Sequence, residues 1–139
     1  MPIDMTDATM NDRDVSFVVQ LQVDAYNRRD LEGFLATYAQ DVRLYEYPDK
    51  LLLSGIDAMR LSYERLFASA TDLLGTVDNR IVLGDFVIDH ETISGASEQP
   101  VSATAIYHVR DGLIHSVRFI YRTTGRDAQD AIAAVTASA

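Results

Sequence analysis

The chain contains no cysteine, so it can form no disulfide framework, no thiolate nucleophile and no cysteine-ligated metal site. That composition fits a reducing, cytoplasmic setting. Positive charge is scarce, with 12 Lys and Arg against 21 Asp and Glu and a net charge of -9, a balance that repels nucleic-acid backbones and anionic membrane surfaces. Neither nucleic acid nor a membrane is an expected partner. No apolar run is long enough to span a bilayer, and the polar, acidic opening stretch lacks the basic and apolar regions of a secretion signal. The chain also lacks a glycine-rich phosphate loop and a nucleophile elbow. His90, His108 and His115 lack the spacing of a ligand set, so no metal and no other cofactor is expected. Acid–base chemistry or simple binding remains.

What is present is a change of period. Apolar residues recur at helical spacing in three stretches, then alternate at strand spacing from Thr76 to Arg122. Val15, Val18, Val19, Val23, Ala25 and Tyr26 share one face of a first helix over 14–27. Asp30 can cap a second helix carrying Leu31, Phe34, Leu35 and Tyr38 and ending near Gln40. Val42 to Tyr47 reads as a strand stopped by Pro48, with Leu51 to Leu53 as a short return. Ser54 and Asp57 have the form of a capping box for a third helix whose face carries Ile56, Met59, Tyr63, Leu66, Phe67 and Ala70. Strands follow at 76–83, 86–94, 101–110 and 113–122, and Asp111-Gly112 is a strong hairpin signal. The length suits one domain: a flexible leader over 1–13, a folded unit over 14–124, and a tail over 125–139 that is either a weak helix or disordered. The expected class is α+β, a curved, largely antiparallel (mixed) sheet wrapped around the N-terminal helices and enclosing a cone-shaped cavity.

Candidate site residues are polar side chains on faces that otherwise look buried. Gln22 sits amid the apolar face of helix one, either as a structural amide bonded to nearby backbone or as a donor aimed at a ligand. Glu46 shares a side with Val42 and Leu44. If that side faces the helices, a buried carboxylate is poised for proton abstraction beside a carbonyl; the alternative is a rim residue paired with an arginine. Parity along the later strands turns Asn79, His90, Tyr107, His115 and Tyr121 inward with the aliphatic residues and Phe119. With Tyr26, Tyr38 and Tyr63 from the preceding elements they would line the cavity. Ile106, Ile114 and Ile120 fall on the outer face among Thr104, His108, Arg118 and Arg122, which suits either a half-solvated sheet or a homodimer through that face.

The segments "YNRRDLEGFLATYAQDVRLYEYP", "LLLSGIDAMRLSYERLF", "IVLGDFVIDHE" and "AIYHVRDGLIHSVRFIYR" together resemble the nuclear transport factor 2-like superfamily, and within it the ketosteroid isomerase and polyketide cyclase (SnoaL-like) group. The resemblance implies a conical α+β domain with a deep cavity, usually a homodimer, working without a cofactor. It implies that the isomerase's carboxylate base falls on Glu46 when the helix hairpins are matched at Asn27 and Asp30, and on Tyr47 when the match is anchored on Pro48. The isomerase's two oxyanion donors fall on Gln22 and Ala105, of which Ala105 can donate nothing; Tyr107 or His90 could stand in. Three readings stay open. One is an isomerase or cyclase moving a proton on a small apolar carbonyl compound with Glu46 as base, another a noncatalytic ligand-binding cavity, and the third a protein-interaction domain.

Overall fold

The computed structural model describes residues 2–121, and their side chains from residue 15 onward. Its elements are α1 (Pro2–Arg28), α2 (Leu31–Leu35), β1 (Tyr38–Glu46), β2 (Lys50–Ser54), α3 (Ile56–Ser69), β3 (Leu74–Leu83), β4 (Phe86–Ser94), β5 (Val101–Arg110) and β6 (Leu113–Tyr121). The six strands form one sheet in the order β2-β1-β6-β5-β4-β3. Every neighbouring pair is antiparallel except β1 with β6, which run parallel. This is the expected α+β architecture, with N-terminal helices on one face of a curved mixed sheet that does not close. No helix among the described residues is long and apolar enough to cross a membrane.

Local chemistry accounts for most boundaries. The Asp30 carboxylate accepts from the Gly33 N–H at 3.0 Å, capping α2. Asp111 and Gly112 adopt φ of 53° and 76°, the left-handed pair that a tight hairpin between β5 and β6 requires. The predicted face of α1 is buried. So is that of α3, apart from the partly buried Ile56, and both meet around Phe34, whose ring centroid lies 4.6 Å from that of Tyr63 and 5.1 Å from that of Tyr38. Asn27 ties the end of α1 to the start of β3: its amide donates to Gly75 O at 3.0 Å and accepts from Gly75 N at 2.7 Å.

Several expectations are corrected. α1 runs back to Pro2, through the stretch read as a flexible leader. α2 ends at Leu35 rather than near Gln40, because the Thr37 hydroxyl and N–H both donate to Phe34 O (2.7 and 3.2 Å), and Thr37 O is taken by the Ile114 N–H. Tyr38 therefore opens a strand rather than closing a helix. Gly55, with no side-chain cap, stands at the start of α3 where Ser54 was expected to cap. The tail over 125–139 and Arg122 lie outside the described residues.

Strand parity also departs from expectation at two irregularities. Val77 pairs with Glu91 but Asn79 pairs with His90, so Asp78 is an extra residue and the faces of β3 exchange. Asn79, Ile81 and Leu83 consequently face outward and are exposed, while Arg80 and Val82 turn toward the helices and are partly buried. In β6, Val109 pairs with Ile114 and His108 with Ser116, leaving His115 as the extra residue. Ile114 is thereby fully buried, not part of an outer apolar face, and His115 joins Asp41, Arg43, His108 and Arg118 around a polar cleft on the outer side.

Candidate active site

Between α1, α3 and the inner face of the sheet lies a cavity that takes Gln22 and Tyr26 from α1, Tyr38 from β1, Tyr63 from α3, Tyr107 from β5 and Phe119 from β6. All six had been expected there. The cavity volume is about 30 Å³, so the space is a narrow slot with aromatic sides. One acidic wall residue was not anticipated: Glu91 on β4, 9% exposed.

Glu91 reaches the cavity because β4 presents Val87, Asp89, Glu91 and Ile93 to the helices, all buried. The opposite parity, that of His90, had been expected to face in. His90 is instead exposed on the outer face, within 3.0 Å of Ser102 Oγ, and Phe86 stacks on the His108 ring there at 4.7 Å. The inner acids are tolerated because each has a partner. Asp89, with no exposed surface, holds Arg80 in a two-pronged ion pair (Nε to Oδ1 2.7 Å, Nη2 to Oδ2 2.9 Å). Arg80 is braced in turn by Gln20 Oε1 at 2.9 Å. Glu91 accepts the Tyr107 hydroxyl at 3.0 Å.

Burial pushes the Glu91 carboxyl up to about 7; the Tyr107 hydrogen bond and the Arg80 charge oppose the rise, and neighbouring Asp89 adds to it. Burial drives the phenols of Tyr26, Tyr38, Tyr63 and Tyr107 upward, and the Glu91 charge adds to each. They therefore remain protonated donors at neutral pH, facing an acid that can be on either side of its own titration.

This makes stability depend on pH in a defined direction. A carboxyl whose folded value lies above its unfolded one holds its proton more firmly in the native state, so its contribution is complete below about 4.5 and lost as pH rises through about 7. The difference corresponds to about 3 kcal/mol. Glu91→Gln keeps an acceptor for Tyr107 and removes the titration. It is expected to be more stable than the parent by up to about 3 kcal/mol at alkaline pH, with the gain shrinking toward pH 5. Urea denaturation of both proteins across this range checks it, and a gain that grows toward acid contradicts the assignment.

Glu46 has the expected parity but not the expected place. It pairs with Phe119 at the inner margin of β1, accepts the Tyr121 hydroxyl at 3.2 Å, and lies 3.9 Å from Lys50 Nζ, its side chain 21% exposed. It does not line the cavity, and it stands three strand spacings, roughly 14 Å, from β4. Tyr121 is buried beside it, likewise off the cavity wall. Tyr47 is 54% exposed, and Ala105 is fully buried.

The SnoaL-like domain model matches residues 19–117. The chain belongs to the SnoaL-like family. No curated protein matches it. Among solved structures this SnoaL-like chain is similar to an LEH-like epoxide hydrolase of M. tuberculosis, with 15% identity, TM-score 0.71 and coverage of 91% of this chain and 98% of that one. It is similar to a provisionally named ketosteroid isomerase of Kribbella flavida, with 22% identity, TM-score 0.65 and coverage of 84% and 83%. A provisionally named polyketide cyclase of Sinorhizobium meliloti gives 21% identity, TM-score 0.64 and coverage of 73% and 92%. At these identities the likeness is one of fold, and the chemistry must be argued from the cavity.

Proposed function

We propose that this SnoaL-like domain binds a small, largely apolar carbonyl compound and transfers one of its protons, with Glu91 as the base. The observation that carries this reading is a buried carboxylate on the wall of an aromatic slot, hydrogen-bonded by one tyrosine and surrounded by three more. Glu46 was the base expected from the sequence, but its rim position beside Lys50 gives it no contact with a ligand in the slot.

In the proposed step the Glu91 carboxylate takes a proton from the carbon next to the carbonyl, and the C–H electron pair moves into the C–C bond as the carbonyl pair moves onto oxygen. The Tyr38 hydroxyl, kept protonated by burial, donates to the enolate oxygen, while Tyr107 holds the base in position. The proton then returns to a different carbon, which is isomerisation, or the enolate carbon bonds to a second carbonyl, whose electron pair moves onto its oxygen and takes the proton back from Glu91, which is cyclisation. The names borne by the structural neighbours include isomerase, cyclase and epoxide hydrolase, which supports this reading.

The test is deuterium incorporation from heavy water into simple methyl ketones and enones. Exchange is expected with the parent protein and with Glu46→Gln, and is expected to be lost in Glu91→Gln. Tight ligand binding without exchange supports a noncatalytic cavity instead, and exchange lost only in Glu46→Gln restores the rim carboxylate as the base.

A further inference from the structure

Gln22 is a buried polar group on the cavity wall that the proton-transfer step does not use. Gln22 lies one turn before Tyr26 on α1, 6% exposed, with its side chain on the cavity wall. Its amide acts on the Tyr38 phenol as a hydrogen-bonding partner, opposing the rise that burial causes there. Its Oε1 is buried with no hydrogen-bond partner among the described residues.

An unmet buried acceptor is costly, and the cost is avoidable at this position. Gln22 is surrounded on its helix face by Val18, Val19, Val23, Ala25 and Tyr26, so leucine or methionine would match the surroundings without an orphaned oxygen. A glutamine here is instead complementary to a donor delivered from the cavity. The other polar groups on the wall are the tyrosine hydroxyls and Glu91, which together suit a carbonyl and an acidic C–H. Gln22 Oε1 adds an acceptor of a different kind.

We infer that the ligand carries a neutral hydroxyl or N–H group that donates to Gln22 Oε1, in addition to the carbonyl handled by Glu91 and Tyr38. The inference rests on the cavity being the ligand site and narrows the substrate class to hydroxylated or amide-bearing carbonyl compounds. A charged ammonium fits less well, because the slot is walled mainly by aromatic and aliphatic side chains. Gln22 on this reading is a specificity residue, not a proton-transfer residue.

Three probes separate the possibilities: acetophenone, 4-hydroxyacetophenone and 4-methoxyacetophenone, titrated into the full chain and followed by NMR. The hydroxy compound is expected to bind about tenfold more tightly than the other two, the usual scale for satisfying one buried acceptor. Gln22→Leu, with Gln22→Met as a second variant should the first fail to fold, is expected to abolish that preference, so that the hydroxy compound binds no more tightly than the methoxy one. Equal binding of hydroxy and methoxy probes, a preference that survives both variants, or no binding of any probe overturns the inference. Deuterium exchange into the methyl group of acetophenone is read in the same samples. Preference without exchange counts against proton transfer and leaves the Gln22 assignment standing; exchange without preference does the reverse.

Discussion

Glu91→Gln is expected to slow proton exchange into a bound ketone by about 10²–10⁴-fold, the usual contribution of a positioned general base. Glutamine has nearly the same shape and keeps an oxygen for the Tyr107 hydroxyl, which sits 3.0 Å from Glu91 Oε1. The aromatic walls and the Tyr38 hydroxyl are untouched, so the loss should fall on the rate of exchange rather than on ligand affinity. Single-turnover exchange at saturating ketone, compared with the affinity measured separately, makes the distinction. A variant that binds normally and exchanges normally removes Glu91 from the chemistry.

The ion pair two residues earlier on the same strand carries the largest expected effect on stability. Asp89 has no exposed surface and both of its oxygens are held by Arg80. Arg80→Met leaves that carboxylate buried without compensation and is expected to destabilise the fold by about 3–5 kcal/mol in urea denaturation at neutral pH. Replacing both members together, Arg80→Met with Asp89→Leu, should recover most of the loss, because a well-packed apolar pair avoids the desolvation of two charges. A double variant as unstable as the single one would show that Asp89 has a role other than pairing with Arg80. Loss of the Arg80 charge should also push the Glu91 carboxyl further upward, since that cation opposes its rise.

The architecture was legible because periodicity reports burial directly. The apolar faces of the first and third helices, the Asp30 cap and the Asp111-Gly112 turn are local signals, and β4 and β5 have the residue limits that the alternation implied. The helical members of the cavity, Gln22, Tyr26 and Tyr63, followed from the same faces. Parity held on β5 and over Val117 to Tyr121 of β6, and failed on β4 and at two irregularities. Single extra residues at Asp78 and His115 exchange the faces of β3 and β6, and nothing in the alternation of either strand marks such an insertion.

On β4 the error had a different cause. Choosing the more apolar side assumed that the inner face avoids charge, whereas Asp89 and Glu91 are buried because Arg80 and Tyr107 satisfy them from the neighbouring strands. A usable signal was present in the acids themselves: Asp89 and Glu91 share a parity with Val87 and Ile93, an arrangement that a solvent-facing side has no reason to favour. Functional sites are where local pattern and global fold disagree. The misplacement of Glu46 shows a related gap, since parity tells which face a side chain occupies but not how far along the sheet the cavity extends.

The Glu91 carboxyl, enclosed by tyrosines, is expected to titrate near neutrality. The direct measurement is an NMR pH titration of the 13C-labelled side-chain carboxyl groups, with Glu91→Gln used to assign the resonance. A midpoint near 7 is expected for the signal that disappears in the variant; a midpoint near the ordinary glutamate value of about 4.3 would remove Glu91 as a base poised at neutral pH.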